Sequence, residues 1–246
     1  MSHFFVTSDQ IVGDFLTIIG DDVNHMKNVL RMRCGEAFTA ADENGVFYRC
    51  EVDVLEKTQV MAKILWKEQG TSELSSKIYL FQGLPKSDKM ELIIQKAVEL
   101  GAYQIIPVAT KRAIVKLDAK KEASKRKRWQ SIAEGAAKQS GRMVIPQISE
   151  VKTFGEALQM AKELDVNVIP YECARGMEGT REIFGNIKPG MSVGIFIGPE
   201  GGFEESEVEK AKELNIKPVT LGKRILRTET AGLTTLSILV YLLEES

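Results

Sequence analysis

Histidine and cysteine are scarce in this chain. Among its 246 residues there are two histidines, His3 and His25, and three cysteines, Cys34, Cys50 and Cys173. With both histidines close to the N-terminus, a His-rich metal site or a Ser-His-Asp triad is excluded. The cysteines are widely spaced and odd in number, which argues against a disulfide framework or a zinc ribbon, so no metal is expected. Long apolar runs are missing too. The longest, Ile238 to Leu243, is far too short to span a bilayer. The first residues, Met1-Ser2-His3-Phe4-Phe5, contain no basic segment leading into an apolar core, so a cytoplasmic protein without a membrane partner is expected. Neither G-x-G-x-x-G nor G-x-x-x-x-G-K-[ST] occurs, which makes NAD and nucleoside triphosphates poor candidates.

What is present is ordinary in bulk and uneven in detail. Hydrophobic residues make up 43% and charged residues 27% of the chain, the balance of a folded globular protein. The net charge is −1, yet residues 111 to 128 hold nine Lys or Arg against Asp118 and Glu122. A near-neutral protein with one concentrated basic stretch can bind a polyanion there, although a solvated helix face is the commoner use of such a run.

The rhythm of the chain changes once. Phe4 to Val6, Phe15 to Ile19, Glu36 to Ala41, Val46 to Leu55 and Gln59 to Trp66 read as short strands. Asn44-Gly45 is expected to turn one hairpin with both residues at positive φ, and a helix is expected over Asp21 to Met32. Together these describe a small β-barrel. A polar break at residues 70 to 76 divides the chain into domains 1–72 and 73–246. Beyond it, strands at 78–82, 104–108, 144–148, 167–170, 193–197 and 218–221 alternate with helices at 88–100, 119–139, 153–164, 204–214 and 230–244. That alternation predicts an α/β domain with a mainly parallel sheet, in which loops at the carboxyl ends of the strands gather into one crevice.

Four stretches carry more glycine and polar residues than folding requires: Gly83 to Lys89, Ala137 to Arg142, Gly198 to Gly202 and Gly222 to Thr230. The turn Gly198-Pro199-Glu200-Gly201-Gly202 ends an apolar strand and exposes main chain to a ligand. The helix after it opens on Glu204, Glu205 and Glu207, acids that oppose phosphate at that terminus. In the second loop, Arg224 and Arg227 flank Ile225-Leu226, so apolar residues can cup a ring while an arginine faces an anion. Thr228 and Thr230 precede the last helix, which one of them can cap.

The residues Ile197-Gly198-Pro199-Glu200-Gly201-Gly202-Phe203 and Leu221-Gly222-Lys223-Arg224-Ile225-Leu226-Arg227-Thr228-Glu229-Thr230-Ala231 resemble the signature of the RsmE family. These are ribosomal RNA small-subunit methyltransferases of the SPOUT class. His25 to Arg31, Lys86 to Glu91, Gln95-Lys96, Glu99 to Gly101 and Lys138 to Arg142 extend the resemblance over nearly the whole chain. It implies a PUA-like RNA-binding barrel, then a SPOUT-type, trefoil-knotted, mainly parallel sheet domain that forms a homodimer. It also implies S-adenosylmethionine as cofactor and N3 of a uridine in 16S rRNA, near the decoding centre, as the methylated atom, with 16S rRNA or the small subunit as partner. Carried over by position, the cofactor would be held by Pro170, Tyr171 and Glu172, by Ile197, Gly198, Pro199, Glu200, Gly201 and Gly202, and by Leu221, Gly222, Arg224, Ile225, Leu226, Arg227, Thr228, Thr230 and Ala231. Arg227 is the expected catalytic arginine, with Arg142 of the partner subunit as a second, and Glu229 is a candidate base. RNA contacts are expected from Arg31, Arg33, Lys86, Lys89, Lys125, Arg126, Lys127, Gln139, Ser140 and Arg142. Two other readings stay open: a non-catalytic RNA-binding relative, and methylation at another RNA position.

Overall fold

The structure is a computed structural model that describes residues 2–70, 72–115, 117–171 and 176–244; Lys116, Glu172 and Cys173 lie outside them. Its contacts divide the chain into two units, Met1–Glu73 with Ala137–Ile145, and Leu74–Ala136 with Pro146–Ser246. The first unit therefore takes in a nine-residue segment that a simple cut between residues 72 and 73 would leave in the second. Arg142 explains why the segment belongs there. Its guanidinium donates to the Glu73 carboxylate, with Nε 3.0 Å from Oε1, and the Met143 amide donates to the same oxygen at 2.8 Å.

The first unit is a six-stranded sheet built from β1 (His3–Phe5), β2 (Ile11–Val12), β3 (Phe15–Ile19), β4 (Ala37–Ala41), β5 (Val46–Leu55) and β6 (Gln59–Gln69), in the order β1-β4-β5-β6-β3-β2. Only the β1–β4 pairing is parallel. Alternation along the strands sends Phe4, Leu16, Ile18, Phe38, Val52 and Val60 into one core. The β4–β5 hairpin departs from expectation, because Gly45 takes positive φ (75°) and Asn44 does not. Asp42 is the reason: its Oδ1 accepts the Asn44 and Val46 amides, both at 2.9 Å. Such a carboxylate-anchored turn needs one left-handed residue, which glycine supplies. The helix expected over 21–32 also changes character. It is α-helical only over α1 (Asp21–Asn24), widens to a π-type turn over His25–Val29 and stops at Arg31, with φ 54°.

In the second unit, β7 (Lys77–Gly83), β8 (Gln104–Ala109), β10 (Lys152–Thr153), β11 (Val166–Pro170), β12 (Ser192–Ile197) and β13 (Lys217–Val219) form a sheet in the order β10-β8-β7-β12-β11-β13, with β9 (Gln147–Ile148) also paired to β8. Every pairing in it is parallel. Helices α2 (Lys89–Glu99), α3 (Ala119–Ser140), α4 (Phe154–Ala161), α5 (Met177–Gly185), α6 (Glu205–Glu213) and α7 (Thr228–Leu243) connect or follow these strands. The expected strand 144–148 shrinks to its last two residues, since Pro146 has no amide to give a ladder. Helix α5 escapes the sequence reading because Gly179 and Gly185 weaken its pattern.

Burial on both faces explains the near-continuous apolar strands. Phe81 of β7 and Phe196 of β12 stack with ring centroids 4.3 Å apart at the centre of one face. On the other, α7 packs against α2, β7 and β12. The sheet thus presents the carboxyl ends of β7, β11, β12 and β13 side by side.

Candidate active site

The loops after those four strand ends enclose a cavity of about 610 Å³, inside the range of roughly 300–1,000 Å³ usual for small-molecule sites. One wall is the turn Gly198 to Gly202 after β12, and the other is the loop Leu221 to Arg227 before α7. Pro170 and Tyr171, following β11, complete it. Nearly all of the proposed cofactor set lines this one cavity: Pro170, Tyr171, Ile197 to Gly202, Leu221, Gly222, Arg224 to Thr228 and Ala231. Thr230 does not. It lies on another side of α7, in a shallow groove with Leu233, Thr234, Ser237, Ile238, Tyr241 and Leu242.

The glycine turn is shaped by close approach. A Cβ on Gly83, at the end of β7, would lie 2.7 Å from the Pro199 nitrogen, so only glycine lets the turn rest against that strand. Gly202 closes the turn at φ 65°, donating its amide to the Pro199 carbonyl at 2.9 Å. Within the facing loop, Leu221, Ile225 and Leu226 enter none of the main-chain hydrogen bonds of the described residues. Ile225 is 86% exposed. A loop that leaves main-chain donors and acceptors open beside an exposed apolar side chain can receive a flat heterocycle with polar edges.

Charge at the site is organised by Lys89, at the start of α2. Its Nζ lies 3.1 Å from Glu200 in the glycine turn and 3.5 Å from Glu229 in the first turn of α7. The Glu200 carboxylate also accepts the Lys86 amide at 3.1 Å. Partial burial alone would push the Glu200 carboxyl up, but its own amide, Lys89 and the Lys86 amide more than offset this and hold it below the usual range. Lys89 in turn is held above the usual lysine range, chiefly by its hydrogen bond to Glu200. The lysine read as an RNA ligand is therefore engaged by two carboxylates. Arg227 lines the cavity and is exposed, with no ion pair among the described residues.

The remaining predicted residues lie elsewhere. Arg142 is 3% exposed and paired with Glu73 in the first unit, so its guanidinium already has a partner. Gln139 and Ser140 are exposed at the end of α3, and Lys86 is exposed in the loop after β7. Arg31 and Arg33 are exposed beside the π-type turn. On α3, Arg126 pairs with Glu150 at 2.9 Å and Lys125 lies 5.9 Å from the centre of the Trp129 ring, while Lys127 is exposed. The sequence reading missed Phe203, Thr220 and Lys223, which also line the cavity, and Gln82, fully buried beneath it. A glutamine directly after the apolar run Ile78 to Phe81 was the available signal.

Two family models match the chain, an RNA methyltransferase PUA domain over residues 18–65 and an RNA methyltransferase domain over residues 72–240. Fold and site thus define an RNA methyltransferase: a PUA-like domain followed by an α/β domain with a mostly parallel sheet. Ribosomal RNA small subunit methyltransferase E of Bacillus subtilis is 39% identical over 247 residues, covering 98% of this chain and 96% of that protein. The protein of that name from Mesomycoplasma hyopneumoniae is 34% identical over 233 residues, at 95% and 96% coverage. A ribosomal RNA small subunit methyltransferase E from Neisseria gonorrhoeae, solved bound to S-adenosyl methionine, is 34% identical, with a TM-score of 0.84 and 98% of each chain covered. The chain belongs to the ribosomal RNA small subunit methyltransferase E family.

Proposed function

We propose that this protein methylates N3 of one uridine in 16S rRNA near the decoding centre, using S-adenosylmethionine held between the Gly198–Gly202 turn and the Leu221–Arg227 loop. The observation that carries the reading is the open main chain of Leu221, Ile225 and Leu226 beside a cavity of about 610 Å³, which fits an adenine edge. When bound, S-adenosylmethionine supplies an electrophilic methyl group on a sulfonium. Arg227 then stands where negative charge develops on the uracil oxygens as N3 loses its proton, and preorganised positive charge there favours transfer. Glu229, held by Lys89 at 3.5 Å, does not line the cavity, so the proton is assigned to solvent. Arg142 is left out of the catalytic set because Glu73 occupies it.

RNA is assigned to Arg31, Arg33, Lys86, Lys127, Gln139 and Ser140, all exposed, with Lys125 and Arg126 contributing once their local contacts give way. Two finer features complete the proposal. The insertion of β12 between β7 and β11 supports a trefoil knot in the chain around it. The exposed side of α7, with Tyr241 and Leu242, supports a homodimer that covers it. Like its substrate, the protein would work in the cytoplasm. Calorimetry with S-adenosylmethionine, followed by single-turnover methylation, tests the site. Arg227→Ala should bind RNA normally and lose about 10²-fold in rate; a near-normal rate would remove the arginine from the mechanism.

A further inference from the structure

We infer that Gln82 is a positioning residue that anchors the two walls of the methyl-donor pocket to each other through Thr228, an inference that rests on the reading of that pocket given above. Gln82 sits near the carboxyl end of β7 and is 0% exposed. Its Nε2 donates to the Gly83 carbonyl and to the Thr228 hydroxyl, both at 2.9 Å. The Thr228 hydroxyl donates to the Gly198 carbonyl at 2.6 Å. Three loop junctions are therefore linked through one amide and one hydroxyl: the end of β7, the first residue of α7 and, through the Thr228 hydroxyl, the first residue of the glycine turn.

Proton count fixes the direction of this relay. A threonine hydroxyl has one proton, and here it goes to Gly198. Thr228 must then accept from Gln82, so the amide presents its nitrogen to the pocket walls and turns its oxygen away. That oxygen, buried and without a hydrogen-bond partner, faces α7 at Gly232, where a Cβ would lie 3.7 Å from it. Leaving a buried acceptor unmatched is costly. A leucine at position 82 would avoid that cost, as its neighbours Leu80 and Phe81 do. The amide is retained for what its nitrogen does: in a chain of bonds that polarise one another, it holds the Thr228 hydroxyl in the orientation that donates to the Gly198 carbonyl and so ties the start of α7 to the glycine turn. The loop Leu221 to Arg227 ends at Thr228, so this tie anchors one end of that loop against the glycine turn. Gln82 itself does not line the cavity.

The test measures S-adenosylmethionine affinity by calorimetry, melting temperature, and methylation rate at saturating cofactor for the wild type, Gln82→Leu, Thr228→Val, the double variant and Thr228→Ser. Gln82→Leu should weaken binding at least tenfold while the melting temperature holds or rises, because an unmatched acceptor is removed. Thr228→Val should weaken binding to a similar degree, the double variant should bind no worse than either single one, and Thr228→Ser should restore affinity. The rate at saturation should stay within threefold of wild type for Gln82→Leu, whose side chain does not line the cavity. Unchanged affinity in Gln82→Leu would overturn the inference. So would a loss of affinity that tracks a fall in melting temperature and adds up in the double variant. Failure of the wild-type protein to take up the cofactor would instead overturn the pocket assignment beneath it.

Discussion

At the scale of single residues, the site depends on groups whose chemistry is set by neighbours distant in sequence. Glu200 shows this most directly. Its carboxyl is lowered from 4.5 despite partial burial, through its own amide, Lys89 and the Lys86 amide. A group with a depressed folded pKa adds stability that is fully present above its unfolded value and is lost as pH falls through the folded value. The melting-temperature advantage of wild type over Glu200→Gln should thus be constant from neutral pH down to about 4.5 and shrink below it; an advantage that does not diminish as pH falls further would contradict the assignment. His3 follows the same sign by a different cause. Burial lowers it from 6.5, so its neutral form is favoured in the fold and its contribution is lost as pH drops below that value. His3→Gln should remove that part of the acid sensitivity. None of these pairings was legible in sequence: Lys89 and Arg142 looked like free cations, and only folded proximity gives them Glu200, Glu229 and Glu73.

Among elements, α7 shows how far periodicity can be read. Thr228, Gly232, Thr235, Leu236, Leu239 and Leu243 are buried, while Thr230, Ser237 and Tyr241 are exposed among Leu233, Ile238 and Leu242. Apolar residues on two sides call for two partners; the sheet and α2 cover one side, and among the described residues the Tyr241 side stays exposed. If the other side joins two copies, Tyr241→Glu should halve the mass seen in sedimentation equilibrium with little change in helix content; a monomeric wild type would contradict it. For α3, replacing Lys125, Arg126 and Lys127 together should flatten the salt dependence of RNA binding, mostly through Lys127 because Arg126 already pairs with Glu150. Most strands and long helices were legible because period 2 and period 3.6 survive in their apolar positions. What was not legible had local causes: Pro146 cut a strand short, two glycines masked α5, and Asp42 changed the turn that Asn44-Gly45 alone would make.

For the whole molecule, alternating strands and helices predicted a parallel sheet with a crevice at its carboxyl edge, and the structure brings residues from β11, β12 and the start of α7 into one cavity there. Strand order could not be read the same way. The position of β12 between β7 and β11 follows from long-range packing that no local pattern records, and so does the convergence of Gln82, Thr228 and Gly198. That convergence sets the site: the Leu221–Arg227 wall offers open main chain and an exposed arginine, the glycine turn faces it, and a lysine joins two carboxylates beside them. The most direct measurement is mass mapping of 16S rRNA from small subunits incubated with the purified protein and S-adenosylmethionine. The account predicts a single added methyl group, on N3 of one uridine near the decoding centre, and its loss with Arg227→Ala. A methyl group on any other base, or none with cofactor bound and subunits intact, would contradict it.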